Sequence, residues 1–141
     1  MTPEDRKLLA LLRANAREST ASIARKLGAS RTTVQERIRR LEKSGVIAGY
    51  TVRIADNVGA RMLAAQVLLN VSARHAERVA RELKALPSVT SLRAVSGVFD
   101  YVASVEAEST GELDAQLDRI GQMSGIERTQ TLVVLATKFE R

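Results

Sequence analysis

Apolar residues follow two rhythms along this chain of 141 residues. In the first third they recur three and four apart, the spacing of one helix face. In the rest, short apolar runs and alternations take turns with helical stretches. Leu8, Leu9, Leu11 and Leu12 predict a first helix over about residues 3–16. Thr2 serves as its N-cap, Pro3 stands at the first helical position and Asp5 at the third. Ser19 caps a short second helix whose inward positions are Ile23, Ala24 and Leu27, with Ala24 small enough for close packing. Gly28 stands where a left-handed residue closes that helix. Ser30 caps a third, on which Val34, Ile38 and Leu41 form one stripe, and Gly45 ends it. Two helices joined by so short a Gly-containing connection predict a helix-turn-helix. Val46 to Ile54 then reads as a small wing leading into an extended strand, and Asp56 to Ala60 as a turn cluster.

Beyond that cluster the chain predicts strand 62–71, helix 74–86 stopped by Pro87, and strand 89–96. A turn at Gly97-Val98-Phe99 leads to strand 100–107. Ser109 and Glu112 open a helix as a capping box, with Leu113, Leu117 and Ile120 inward, and strand 126–138 ends the chain. The order β-α-β-β-α-β is the ferredoxin-like arrangement, an antiparallel four-stranded sheet with helices on one face. The expected class is α+β, with a helix-turn-helix domain over 1–50, a connector strand and linker over 51–60, and a ferredoxin-like domain over 61–141. The strands hold more Val, Leu and Ala than a solvated face needs, so a second copy is expected to pack sheet to sheet with two-fold symmetry.

Charge separates the two parts further. Residues 1–55 hold 12 Lys/Arg against 5 Asp/Glu, a net of +7, whereas residues 56–141 hold 10 against 11, a net of −1. Only the helix-turn-helix is therefore expected to meet a polyanion, double-stranded DNA. On the third helix Thr32, Glu36 and Arg39 lie opposite the apolar stripe, with Thr33, Gln35 and Arg40 at the edges. Arg31, Thr32, Thr33, Gln35, Glu36 and Arg39 are expected to face the major groove, with Ser30 at the helix entrance. Arg39, Arg40 and Lys43 are expected on phosphates, and Arg37, nearer the stripe, in a role inside the protein.

Composition narrows the alternatives. With no Cys, disulfides and thiolate metal sites are excluded, and aromatics at 3% give no platforms for single-stranded bases. No apolar run approaches a membrane span, and the opening MTPEDRKLL reads as a helix start rather than a signal peptide. His75, the single histidine, is expected exposed at a helix start and without a metal. No nucleophile–base pair or phosphate-cradling loop appears, so no catalytic residues and no enzyme are expected.

A run of motifs spans nearly the whole chain: Asp5-Arg6-Lys7-Leu8-Leu9, Ser19, Ile23-Ala24, Ser30 through Ile38, Leu41 through Ile47, Gly49-Tyr50, Leu86-Pro87-Ser88-Val89, Ser96 through Asp100, and Gly125 through Thr129. In this order and spacing the chain resembles the Lrp/AsnC, or feast/famine, family of bacterial and archaeal transcription regulators. The resemblance implies a cytoplasmic, nucleoid-associated DNA-binding protein that forms dimers through its sheets and often octamers. It also implies no cofactor, but an amino acid or related effector bound where dimers meet, at the loop Gly97, Val98, Phe99 and Asp100. There Asp100 would take the ammonium, backbone N–H groups near Gly97 and Val98 the carboxylate, and Thr129 and Thr131 the far side of the pocket. The bland role for Asp100 is a turn residue bonded to its own loop. Two positions depart from the family pattern: Ser22 stands where Glu is frequent, and Phe99 where Tyr is usual. A ligand-independent architectural DNA-binding protein shares this fold. So does a small enzyme or metabolite-binding protein on the ferredoxin-like scaffold, a reading that leaves the +7 region unexplained.

Overall fold

A computed structural model describes residues 1–55 and 62–140. It divides into two compact units, Met1–Arg53 and Ile54–Arg141.

The first unit is three helices: α1 (Pro3–Ala14), α2 (Thr20–Leu27) and α3 (Arg31–Lys43). Each start is closed by a side chain. Thr2 and Asp5 exchange bonds across the first turn of α1, Ser19 Oγ accepts from Ser22 N, and Ser30 Oγ accepts from Thr33 N. Ser22 donates its hydroxyl to Glu18 at 2.6 Å, and Glu18 also pairs with Lys26. Gly28, at φ 62°, turns the chain sharply from α2 into α3. Leu8, Leu12, Ile23, Ala24, Val34 and Leu41 form the core.

The wing and connector strand expected after α3 do not form over the described residues 46–55. Ile47 N instead bonds back to Leu41 O, and the Tyr50 hydroxyl donates to Glu42 Oε1 at 2.7 Å. Tyr50, Val52 and Ile54 lie exposed in an alternating row. A strand needs a neighbour for its ladder, and none runs beside this segment among the described residues. The expected turn cluster Asp56–Ala60, and with it the rest of the 51–60 connector, lies outside the described residues.

The second unit contains β1 (Leu63–Val71), a 3-10 turn (Ala73–His75), α4 (Ala76–Lys84), β2 (Val89–Ala94), β3 (Tyr101–Ala107), α5 (Thr110–Gly121) and β4 (Ile126–Val133). The strands pair antiparallel in the order β2-β3-β1-β4. Ala65, Val67, Leu69 and Val71 of β1 join Ala103, Val105 and Ala107 of β3 against Val79, Leu83, Leu113 and Ile120 of the helices. The last strand stops at Val133 instead of continuing to Lys138. Val133 lies opposite Ala65 and Val134 N bonds to Ala64 O, so the partner strand has run out. At α5 the capping box is displaced by one residue: Ser109 Oγ accepts from Glu112 N, but the Glu112 carboxylate takes Glu108 N.

The sheet face away from the helices is more polar than the apolar run of β1 suggests. Alternation sends Ala64, Gln66, Leu68 and Asn70 to it. A row of hydrogen bonds crosses it, from Ser91 Oγ to Ser104 Oγ at 3.0 Å and from there to Gln66 Oε1 at 3.2 Å. Apolar side chains on this face, Leu68, Val102 and Leu132, are interrupted by that row.

His75 is half-buried rather than exposed. Its Nδ1 lies 2.8 Å from Ser72 Oγ, and its Cβ packs against Gly125, the residue that leads into β4.

Candidate nucleic-acid interface and ligand loop

The third helix has a sealed face and a free one. Val34 and Leu41 are buried, while Arg31, Thr32, Gln35, Glu36, Arg39 and Lys43 are exposed. None of these six has an ion pair or side-chain hydrogen bond among the described residues. Thr32, Gln35, Glu36, Arg39 and Lys43 follow one another at helical spacing, so they form a single stripe of donors, acceptors and charge. Ser30 and Thr33 belong to the helix start: their hydroxyls lie 2.8 Å apart and Ser30 holds the Thr33 N–H. These bonds fix the entrance of α3.

Arg40, expected on a phosphate, has a partner within the protein. Its Nη2 pairs with Asp5 Oδ1 at 2.5 Å, tying α3 to α1 across 35 residues of sequence. Asp5 is only 3% exposed and is the one buried charged side chain among the described residues. Its other oxygen accepts from Thr2 N at 2.9 Å. The Thr2 N–H, more than any other group, holds the Asp5 carboxyl below its usual value against the opposing effect of burial, and the charges of Arg40 and Arg37 add to it. Arg37 is half-buried and its charge also favours the ionised Asp5, while Arg40 makes the ion pair.

A pH dependence follows. A carboxyl depressed in the folded state adds stability above its unfolded value, near 3.9, and that stability is lost as pH falls through the folded value. The melting temperature of Asp5→Asn is therefore expected below that of the native chain at pH 7, with the gap closing below about pH 4. Calorimetry across this range checks it; a gap independent of pH would count against the pairing.

The loop from Val95 to Asp100 is closed by Val95 N bonding to Asp100 O at 3.0 Å, with Gly97 at φ 142°. The Asp100 side chain bonds outside its own loop. Its Oδ2 accepts from Val71 N at 2.9 Å and lies 3.4 Å from Asn70 Nδ2, and Asp100 N donates to Leu69 O. Asn70 Nδ2 also donates to Val98 O at 2.8 Å. The carboxylate thus pins the loop to the end of β1 through one oxygen, and these bonds leave Oδ1 out. Arg128, which faces Asn70 across the β1–β4 pairing, sets its guanidinium carbon 5.2 Å from the centre of the Phe99 ring.

The structure therefore gathers Gly97, Val98, Phe99 and Asp100 with Asn70 and Arg128, two residues absent from the sequence expectation. It does not gather them with Thr129 and Thr131. Those lie opposite Leu69 and Val67, so they project toward the helix side of the sheet, whereas Asn70 and Arg128 project away. Among the described residues no cluster of His, Cys, Asp and Glu could hold a metal ion.

Comparison with known proteins adds an independent line. Residues 1–42 match the AsnC-type helix-turn-helix domain and residues 64–141 the Lrp/AsnC ligand binding domain. The chain is 31% identical over 136 residues to the HTH-type transcriptional regulator FL11 of Pyrococcus horikoshii, covering 96% of this chain and 90% of that protein. Among solved structures, a feast or famine regulatory protein from M. tuberculosis complexed with L-methionine aligns with TM-score 0.86 at 30% identity, covering 97% of this chain and 93% of that one. E. coli AsnC shares the fold, with TM-score 0.87 at 24% identity over 100% of this chain and 96% of that one.

Proposed function

Because this chain belongs to the Lrp/AsnC family of helix-turn-helix transcriptional regulators, we propose that it grips operator duplexes through α3 as a homo-oligomer whose assembly answers to an amino acid or related small molecule. The observation that carries this reading is the stripe of α3. Its polar groups have no partner in the described chain, on a helix whose other side is buried. In this reading Arg31, Thr32, Gln35, Glu36 and Arg39 approach base edges, and Arg39 and Lys43 also hold phosphates. Ser30 and Thr33 set the helix start, and Arg40 keeps α3 on α1. The protein works in the cytoplasm of a bacterium or archaeon, on the nucleoid. Copies pair through the open sheet faces, and dimers associate further near the Gly97–Asp100 loop.

The effector binds at that loop. The methionine bound to the M. tuberculosis relative supports an amino acid as its class. A ligand acts only by preferring one assembly to another, and that preference changes how many α3 helices engage DNA together. A band-shift titration with and without each amino acid tests this. At least one is expected to move the midpoint about five-fold or more, the low end of ordinary coupling. The pinning of Asp100 to β1 favours a second, ligand-free architectural role, and identical curves for the whole set would select it.

A further inference from the structure

We propose that Arg128 is the residue that binds the carboxylate of the effector, with the Phe99 ring as the platform that holds its guanidinium in place. The inference rests on the amino-acid reading above and names the group that performs recognition.

Three observations carry it. Arg128 is exposed, and its guanidinium carbon lies over the ring of Phe99, 5.2 Å from the centroid. A cation held over a ring spends no N–H group on that contact, so the fork that binds a carboxylate with two parallel hydrogen bonds stays available. Second, the ring comes from the loop itself, so the loop and the cation are fixed together. Third, the opposite charge lies nearby on the same sheet face. Asp100, in the loop just before β3, and Arg128, on β4, flank Asn70 from the two sides of β1. The two flanking positions are about 10 Å apart by backbone, twice the strand spacing, and the Arg128 guanidinium carbon reaches within 5.2 Å of the centre of the Phe99 ring. A free amino acid carries both charges on one carbon. Its carboxylate on Arg128 and its ammonium toward Asp100 Oδ1 would use each group left out of the loop's own bonding. Phe99, which lacks a hydroxyl, acts here as a positioning residue for Arg128.

The test uses the full chain. Thermal-shift screening of the twenty amino acids at millimolar concentration finds the responders. Calorimetric titration then compares the strongest responder with its carboxamide, on the native protein and on Arg128→Gln and Arg128→Lys. The native protein is expected to prefer the acid about tenfold or more, Arg128→Gln to lose that preference together with about tenfold in affinity, and Arg128→Lys to recover part of both. Phe99→Leu is expected to weaken the acid several-fold while leaving the amide unchanged. Arg128→Gln that binds and discriminates as the native protein does overturns the proposal and returns the carboxylate to the backbone of Gly97 and Val98. A change in oligomer size for Arg128→Gln, read by light scattering, overturns it too, because the guanidinium would then pair with an acid of a second copy. If no amino acid moves the native protein, the effector reading falls and this proposal with it.

Discussion

Gly125→Ala is expected to lower the melting temperature by about 10–20 °C. Gly125 sits at φ 99°, where a side chain is strained by about 1–3 kcal/mol. A Cβ built there lies 2.5 Å from His75 Cβ, 3.1 Å from His75 Cγ and 3.3 Å from Val79 Cγ2. The nearest of these is fixed to the backbone of the 3-10 turn, so rotating a side chain cannot relieve the overlap. Moving that turn costs about 1–3 kcal/mol more, and it strains Ser72 N to Gly125 O, a bond of 2.8 Å. The sum is about 3 kcal/mol, and a domain of this size loses about 4–8 °C per kcal/mol. Gly121→Ala is the control. It meets nothing within 4 Å near the end of α5 and is expected to change stability by less than about 1 kcal/mol, in the stabilising direction. Scanning calorimetry separates the two, and equal shifts would remove the steric explanation.

Arg39→Ala with Lys43→Ala is expected to reduce the salt dependence of duplex binding by about two, because each lost phosphate contact lowers the slope of log affinity against log salt by about 0.9. Arg40→Ala is expected to leave the slope unchanged and to lower the melting temperature instead, since its partner is Asp5. Gln35→Ala belongs to another class. It is expected to cost about 1–3 kcal/mol on the preferred operator and little on random sequence. Fluorescence anisotropy across a salt series reads all three. A slope that falls for Arg40→Ala as it does for the double variant would show that the ion pair opens when DNA binds.

These expectations show what periodicity can and cannot deliver. Spacing places Val34, Ile38 and Leu41 inward and the Thr32–Lys43 stripe outward, because a helix repeats every 3.6 residues whatever surrounds it. It cannot find Asp5 as the partner of Arg40, because that contact depends on how α1 crosses α3, not on either helix alone. The capping signals at Thr2, Ser19 and Ser30 are local and read directly, and so is the βαββαβ order. The apolar run of β1 hides its own alternation, since Leu68 and Ala64 look as buried as Leu69 and Ala65 until the strand is built. Asn70 and Arg128 were invisible for the same reason. Their association with the Gly97–Asp100 loop depends on which residues of β1, β3 and β4 lie abreast, and register is a property of the paired sheet. The 46–55 segment carries strand-like composition without a strand, because pairing needs a second edge that composition does not supply.

Among the described residues the two hydrophobic cores share no side chain: one draws from α1 to α3, the other from the sheet and its two helices. Inheritance can therefore act on each half separately. A chimera that takes its first 53 residues from another regulator would leave every packed residue of the sheet core among its original neighbours. Such a recombinant exchanges its helix-turn-helix in one step while the sheet core keeps its packing.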